Sequence, residues 1–310
     1  MKKFLLKSTL FIVLILSSIF TVIYLLPVGG NKYLAASLDK QRLLEKTPQP
    51  RLILVGDSNI AFGVDSAMIR RETGYNVVNM GLHGGLSLIY YMDELKPHLK
   101  KNDIVIFILD YQNFYGDGSG TNTIVEITIF NPKIIRYYSP KNLYNYVINI
   151  PLAFQRRLKG AFSKTVDDPA MVRSGFNEYG DNIAHLSLPQ PIVVAPPRRV
   201  PRRINDDTVR LFREFYDRWH PAGVRIYLSF SPLLEQDRAQ QLDDLAALMA
   251  DFHERLGMMR LIGRPEEFIY PSAYFYDNIF HLNGRGREIH TRDLITAMKR
   301  IPELAAAPRR

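Results

Sequence analysis

RLILVGDSN, residues 51–59, decides how the chain is read. Its first part is a compact apolar run ending in Gly56, the pattern of a strand buried on both faces of a parallel sheet. The polar Asp57-Ser58-Asn59 that follows puts a hydroxyl where a strand gives way to a helix. That is the carboxyl edge at which open α/β sheets bind ligands. Outward from this point the alternation repeats. Residues 66–73 read as a short helix and 75–79 (YNVVN) as a second strand. Leu86, Ile89, Met92, Leu95 and Leu99 recur at helical spacing, and 103–109 (DIVIFIL) is a third strand. After a long interval come a helical stripe (Val209, Phe212, Phe215, Tyr216, Trp219), a strand at 224–230 (VRIYLSF), a helix at 242–256, a last strand at 258–262 and a final helix through His290, Leu294, Ile295 and Met298. Alternation of this kind predicts an α/β fold with a parallel sheet and helices on both faces.

The rest of the chain frames that body. Residues 8–26 (STLFIVLILSSIFTVIYLL) carry no charge, and as a helix they would cross roughly 30 Å of hydrocarbon. Lys2, Lys3 and Lys7 precede them, which predicts an uncleaved signal anchor with the N-terminus in the cytoplasm and the globular part on the periplasmic, extracytoplasmic side. Residues 27–50, opened by Pro27 and the Gly29–Gly30 pair and closed by Pro48 and Pro50, read as a stalk between the segment 1–26 and a domain at 51–310. At about 115–205 the rhythm breaks into an insertion with Gly116, Gly118 and Gly120, an aromatic part and a Pro/Arg part, placed where an α/β enzyme carries a substrate-shaping excursion.

Composition narrows the function classes. With 46% apolar and 23% charged residues in 310, the chain can bury a core, and disorder is excluded. The absence of cysteine rules out a thiol nucleophile, a disulfide framework and any cysteine-held metal. The net charge of +9 comes from scattered residues apart from the N-terminal lysines and a cluster at Arg198, Arg199, Arg202 and Arg203. No basic helix is interleaved with aromatics and no zinc-finger spacing occurs, so nucleic acid is not an expected partner.

Three blocks carry candidate chemistry. Gly56-Asp57-Ser58-Asn59 supplies a hydroxyl but lacks the second glycine of a Gly-x-Ser-x-Gly elbow, where Ile60 stands. Asn79-Met80-Gly81, followed by Leu82-His83-Gly84-Gly85, ends the second strand, and the amides of Ser58 and Gly81 are candidate oxyanion donors. Asp277 and His281 lie in a loop before the last helix, an imidazole with a carboxylate to orient it.

Together, in this order, the blocks resemble the SGNH (GDSL-like) hydrolase superfamily. The stretches SNIAFGVDS, NMGLHGG and FNEYGD (176–181) are similar to those of a membrane-anchored bacterial subset, mostly uncharacterised. More distant relatives act in teichoic acid D-alanylation and alginate acetylation. The resemblance implies a flavodoxin-like three-layer sandwich and acyl-ester chemistry, often on glycans, with no metal or organic cofactor. It assigns Ser58 as nucleophile, His281 as base, Asp277 as its orienter and Gly81 as an oxyanion donor. The family's Gly-x-Asn-Asp block is replaced here by Asp110-Tyr111-Gln112-Asn113-Phe114, leaving Asn113 as a candidate third donor. The usual Asp-x-x-His spacing is also altered, with Asn278 three before His281. Asp57, Asn59, His83, Asn177 and His185 complete the expected substrate contacts, the last two through a segment folded back over the site. The expected function is an extracytoplasmic serine esterase or O-acyltransferase acting on a cell-envelope or exported glycan. Its expected partners are an acylated substrate, the membrane and a membrane-bound acyltransferase. A non-catalytic glycan-binding or scaffold protein of a polysaccharide assembly machine is the alternative.

Overall fold

The computed structural model describes residues 1–26, 32–162, 168–191, 200–236 and 238–305. The apolar runs form a five-stranded, all-parallel sheet: β1 (Arg51–Val55), β2 (Asn76–Asn79), β3 (Ile104–Leu109), β4 (Arg225–Phe230) and β6 (Arg260–Leu261), in the order β2-β1-β3-β4-β6. A second, two-stranded pairing joins β5 (Leu233–Leu234) to β7 (Ile269–Tyr270). In β1 and β3 every residue is buried. That is why these strands read as unbroken apolar runs rather than as alternations. The one charge in β1, Arg51, is fully buried and held by Asp103, with Nε to Oδ1 at 2.9 Å, and by the main-chain carbonyl of His98 at 2.8 Å.

The helices are α1 (Lys2–Phe20), α2 (Ala36–Lys46), α3 (Ser58–Gly63), α4 (Ser66–Thr73), α5 (Ser87–Leu95), α6 (Thr123–Phe130), α7 (Pro140–Ala161), α8 (Asp206–Trp219), α9 (Arg238–Leu256) and α10 (Gly284–Lys299). Helix α10 packs on α3 and α4, while α5 touches α7 and α8, and α8 touches α9. Asp65 caps α4 by accepting the Met68 N–H at 3.0 Å, and Gly74 ends that helix in the left-handed region. Helix α1, with the turn that follows it to Leu25, is long and apolar enough to cross a membrane, and its side chains are almost wholly exposed.

Two expectations change. Residues 27–50 do not stand apart as a stalk: from Tyr33 to Leu44 the segment is packed on the body, with Ser37, Lys40 and Leu44 buried, while 27–31 lie outside the described residues. Lys40 is accommodated because its ammonium donates to the carbonyl of Asn79 at 2.8 Å and to that of Gly180, with the Phe176 ring 4.4 Å below. Burial pulls its pKa down to about 7. The insertion is not irregular throughout, since α6 and the long α7 lie within it. Of the Pro/Arg part, 192–199 fall outside the described residues. Arg202 is paired with Asp243 and Asp244, and Arg203 with Asp206.

Candidate active site

Three connections leave the carboxyl ends of neighbouring strands and meet in one cavity of about 450 Å³. Strand β1 is followed by Asp57, whose Oδ1 accepts the Asn59 N–H at 2.9 Å and so starts α3 with Ser58 at its first position. Strand β2 is followed by the glycine turn at 81–85, and β3 by a short turn that Asp110 caps through the Gln112 N–H at 2.8 Å. The strand order reverses between β1 and β3, the position at which open α/β sheets form a ligand crevice.

Opposite these turns, the loop before α10 delivers the imidazole. Its ends are joined by the Phe275–Leu282 bridge and by the Tyr276 N–H donating to the His281 carbonyl at 2.8 Å. Inside the loop the Asn278 Oδ1 accepts the N–H groups of Phe280 (2.8 Å) and His281 (3.1 Å). This turn swings Asp277 round, so the altered spacing still brings a carboxylate to the ring: Asp277 Oδ1 lies 2.9 Å from His281 Nδ1. On the other side of the ring, Nε2 lies 2.9 Å from Ser58 Oγ. An ionised carboxylate only accepts, which places the imidazole proton on Nδ1 and leaves Nε2 to accept from the Ser58 hydroxyl. The Asn278 Nδ2, 3.1 Å from Nδ1, is then a second donor beside a donor and contributes no hydrogen bond there. Phe62 stacks on the ring at 4.0 Å and 8°, which restricts its rotation.

Gly81 does not serve as expected. Its N–H is spent on the Asn79 Oδ1 at 2.9 Å, and a Cβ there would come within 2.5 Å of Ile60 and 2.7 Å of the Asp57 carbonyl. Glycine is needed at 81 for close approach to α3, not as a donor. Gly84, in the same turn, is on the cavity wall, and its amide has no partner among the described residues. Asn113 does line the cavity, with its Nδ2 3.2 Å from the Asp110 carbonyl. His83 lines it too; burial drives its pKa down to about 4, and its Nδ1 accepts the Gly85 N–H at 3.0 Å. The neutral ring therefore carries its proton on Nε2, a donor at the cavity. Asp57 is on the wall, whereas Asn59 is buried behind it with both amide atoms unpaired.

The FNEYGD segment is not folded over the cavity. Asn177 accepts the Tyr179 and Asp181 N–H groups within its own turn. His185 sits behind the site, 4.8 Å from Phe62 and 5.3 Å from Tyr276 in ring-centre distance. The Leu282 main chain holds its imidazole slightly up, but neither ring nitrogen makes a well-formed hydrogen bond. Burial lowers its pKa to about 4, so protons taken up by the unfolded chain oppose folding as pH falls from about 6.5 to about 4. His185→Phe is expected to leave KM unchanged and to lose less thermal stability than wild type between pH 7 and pH 5, read by melting at both pH values. A rise in KM would return His185 to substrate binding.

Residues missed from sequence are Gly84, Asp110, Gln112, Phe280 and the insertion's contribution of Gly116, Gly118, Ser119, Gly120, Thr121 and Met171. The glycine spacing at 116–120 is the one visible signal for the last group. No group of three His, Asp or Glu side chains is arranged to hold a metal among the described residues. In comparison with known proteins, the sequence matches no family model and none of the curated proteins.

Proposed function

We propose that the chain is an SGNH-like serine esterase or O-acyltransferase, anchored by α1 and facing the extracytoplasmic side, acting on acyl esters of a cell-envelope or exported glycan. The observation that carries the reading is the line Ser58 Oγ, His281, Asp277 with 2.9 Å at each step. Five strands ordered second-first-third-fourth-fifth along the chain support a flavodoxin-like sandwich. Its outer layers would be the two groups of helices in mutual contact, α3, α4 and α10 in one and α5, α7, α8 and α9 in the other.

In this mechanism Ser58 Oγ attacks the ester carbonyl carbon while His281 Nε2 takes the hydroxyl proton. The oxyanion that forms faces the Ser58 and Gly84 amides, with Asn113 beside them. As the intermediate collapses, the imidazolium returns the proton to the leaving alkoxide and Ser58 keeps the acyl group. Water or a sugar hydroxyl then attacks, passing its proton to His281 and from there to Ser58. Asp277 stabilises the imidazolium throughout. A membrane-bound acyltransferase is the partner that would load the donor.

The test uses the spacing peculiar to this chain. Asp277→Asn is expected to lower kcat on a short-chain aryl ester by about 10³–10⁴-fold, because the amide carries no charge to stabilise the imidazolium and its NH2 favours the wrong ring tautomer. Adding Asn278→Asp should recover much of that loss, since a carboxylate at 278 has its second oxygen where Nδ2 now lies, 3.1 Å from Nδ1. A wild-type protein without turnover, or a single variant as active as wild type, would sink the mechanism.

A further inference from the structure

Helix α7 is apolar on its outer face as well as its inner one. A surface helix of a soluble protein buries its apolar stripe and exposes its polar one. Here the inward face mixes the buried Asn142, Asn145 and Ala153 with Tyr146, Ile150 and Phe154, which are half-buried against the core. Asn142 Nδ2 donates to Asp93 Oδ2 at 3.1 Å, and with its amide oxygen and nitrogen exchanged, the orientation that satisfies both atoms, Asn145 bonds the Gly120 carbonyl and N–H at 3.1 and 2.9 Å. The outward positions are Leu143, Tyr144, Val147, Ile148, Leu152 and Leu158, each 39–66% exposed, and Phe162 just past the helix end is 85% exposed. An exposed apolar face of this length is a binding surface, not scatter.

Two further observations say what covers it. The helix carries Lys141, Arg156, Arg157 and Lys159 and no acidic residue, which suits an anionic surface. It is also clamped to the end of the apolar N-terminal segment: Arg157 Nη2 donates to the carbonyls of Ile23 (3.1 Å) and Leu26 (2.8 Å), and the Tyr24 and Tyr146 hydroxyls are 2.6 Å apart. Leu26 ends the apolar run, so a span ending there holds α7 within about one helix diameter, roughly 10 Å, of the membrane surface.

We infer that α7 is an interfacial helix whose exposed apolar face lies in the outer leaflet's headgroup region of an anionic bilayer, a second attachment beside the α1 span. This rests on the reading of α1 as an anchor. The arrangement also sets the cavity near the lipid surface. Lys141 at the start of α7 donates to the Asp117 carbonyl at 2.6 Å, and the loop 116–121 lines the cavity. Acyl donors held at the membrane would thus meet Ser58 without leaving it.

The chain has no cysteine, so single cysteines report cleanly. The full chain is reconstituted in vesicles of phosphatidylethanolamine and phosphatidylglycerol, spin-labelled at Tyr144→Cys, Ile148→Cys, Ile12→Cys or Glu254→Cys. Accessibility to oxygen and to a water-soluble nickel chelate is then compared. The labels at 144 and 148 are expected to favour oxygen several-fold over the label at 254, with the label at 12 favouring it most. A label at 12 in water overturns the anchor reading and this inference with it. A label at 12 in lipid with 144 and 148 in water overturns the inference alone. Labels at 144 and 148 that are immobile and reached by neither agent mean a protein covers the face, which also overturns it.

Discussion

Replacing Ser58 with Ala is expected to remove fluorophosphonate labelling and to lower aryl-ester turnover by at least about 10⁴-fold, to the level that oriented amides alone support. The fold should not notice. Ser58 is half-buried, α3 is capped by the Asp57 side chain rather than by the Ser58 hydroxyl, and the hydroxyl's one hydrogen bond is to His281 Nε2 at 2.9 Å. The measurement is mass spectrometry of the labelled protein beside turnover and a melting curve for both forms. Retained labelling in the variant would place the nucleophile elsewhere. A folded wild type that neither labels nor turns over would favour a binding protein that keeps the arrangement without using it.

Asp181→Ala is expected to cost about 3–5 kcal/mol and to lower the melting temperature by about 5–9 °C. Asp181 is fully buried and ties three elements together. Its Oδ1 accepts from Ser66 Oγ (2.6 Å) and Asn79 Nδ2 (2.8 Å), and its Oδ2 accepts from the Ser66 N–H (2.9 Å) and Arg287 Nη2 (3.0 Å). Those partners belong to α4, β2 and α10, and removing the carboxylate leaves the buried Arg287 guanidinium with the Val64 carbonyl at 2.8 Å and with Asp65 4.0 Å away. Leaving a buried charge without its close counter-ion is the expensive case; replacing both partners with apolar groups is not. Asp181→Leu combined with Arg287→Met should therefore recover part of the loss that Asp181→Leu alone produces, and the double-mutant cycle measures it. An unchanged melting temperature with a raised KM would mean that the FNEYGD segment contacts substrate after all. Gly180 before it explains the motif's form, since its φ is +89° and a Cβ would come 2.4 Å from the Asn79 carbonyl.

The core of the fold was legible because its signals are local. β1 and β3 are buried along their whole length, so each is an apolar run ending at the sheet's edge. Helices α4, α8 and α10 also fell where the pattern of their apolar residues placed them. Helix α7 was not legible as a helix. Its inward face mixes Asn142 and Asn145 with Tyr146, Ile150, Ala153 and Phe154, its exposed side is apolar as well, and Pro151 stands inside it. A reading that expects apolar residues on one face alone finds no single stripe there. Helix α2 passed for a stalk because ASLDKQRLLEK is polar by composition, and only the carbonyls of Asn79 and Gly180, far along the chain, make a site for a buried Lys40.

The candidate site divides in the same way. By itself the sequence determined the sheet's parallel class, the membrane-length apolar segment and the residue types for acyl chemistry: a hydroxyl after the first strand, an imidazole and a carboxylate before the last helix. These follow from neighbours along the chain. Tertiary structure alone decided which of Asp277 and Asn278 accepts the hydrogen bond from His281 Nδ1–H, because the answer depends on two main-chain amides that claim the Asn278 oxygen. It also decided that Gly81 provides room while Gly84 has an amide on the cavity wall without a partner among the described residues, because an N–H is available only if no side chain has already taken it, and at Gly81 Asn79 has. A hydrogen bond needs a partner at about 3 Å in a fixed direction. Residue type and spacing along a chain carry no record of which distant group will arrive there first.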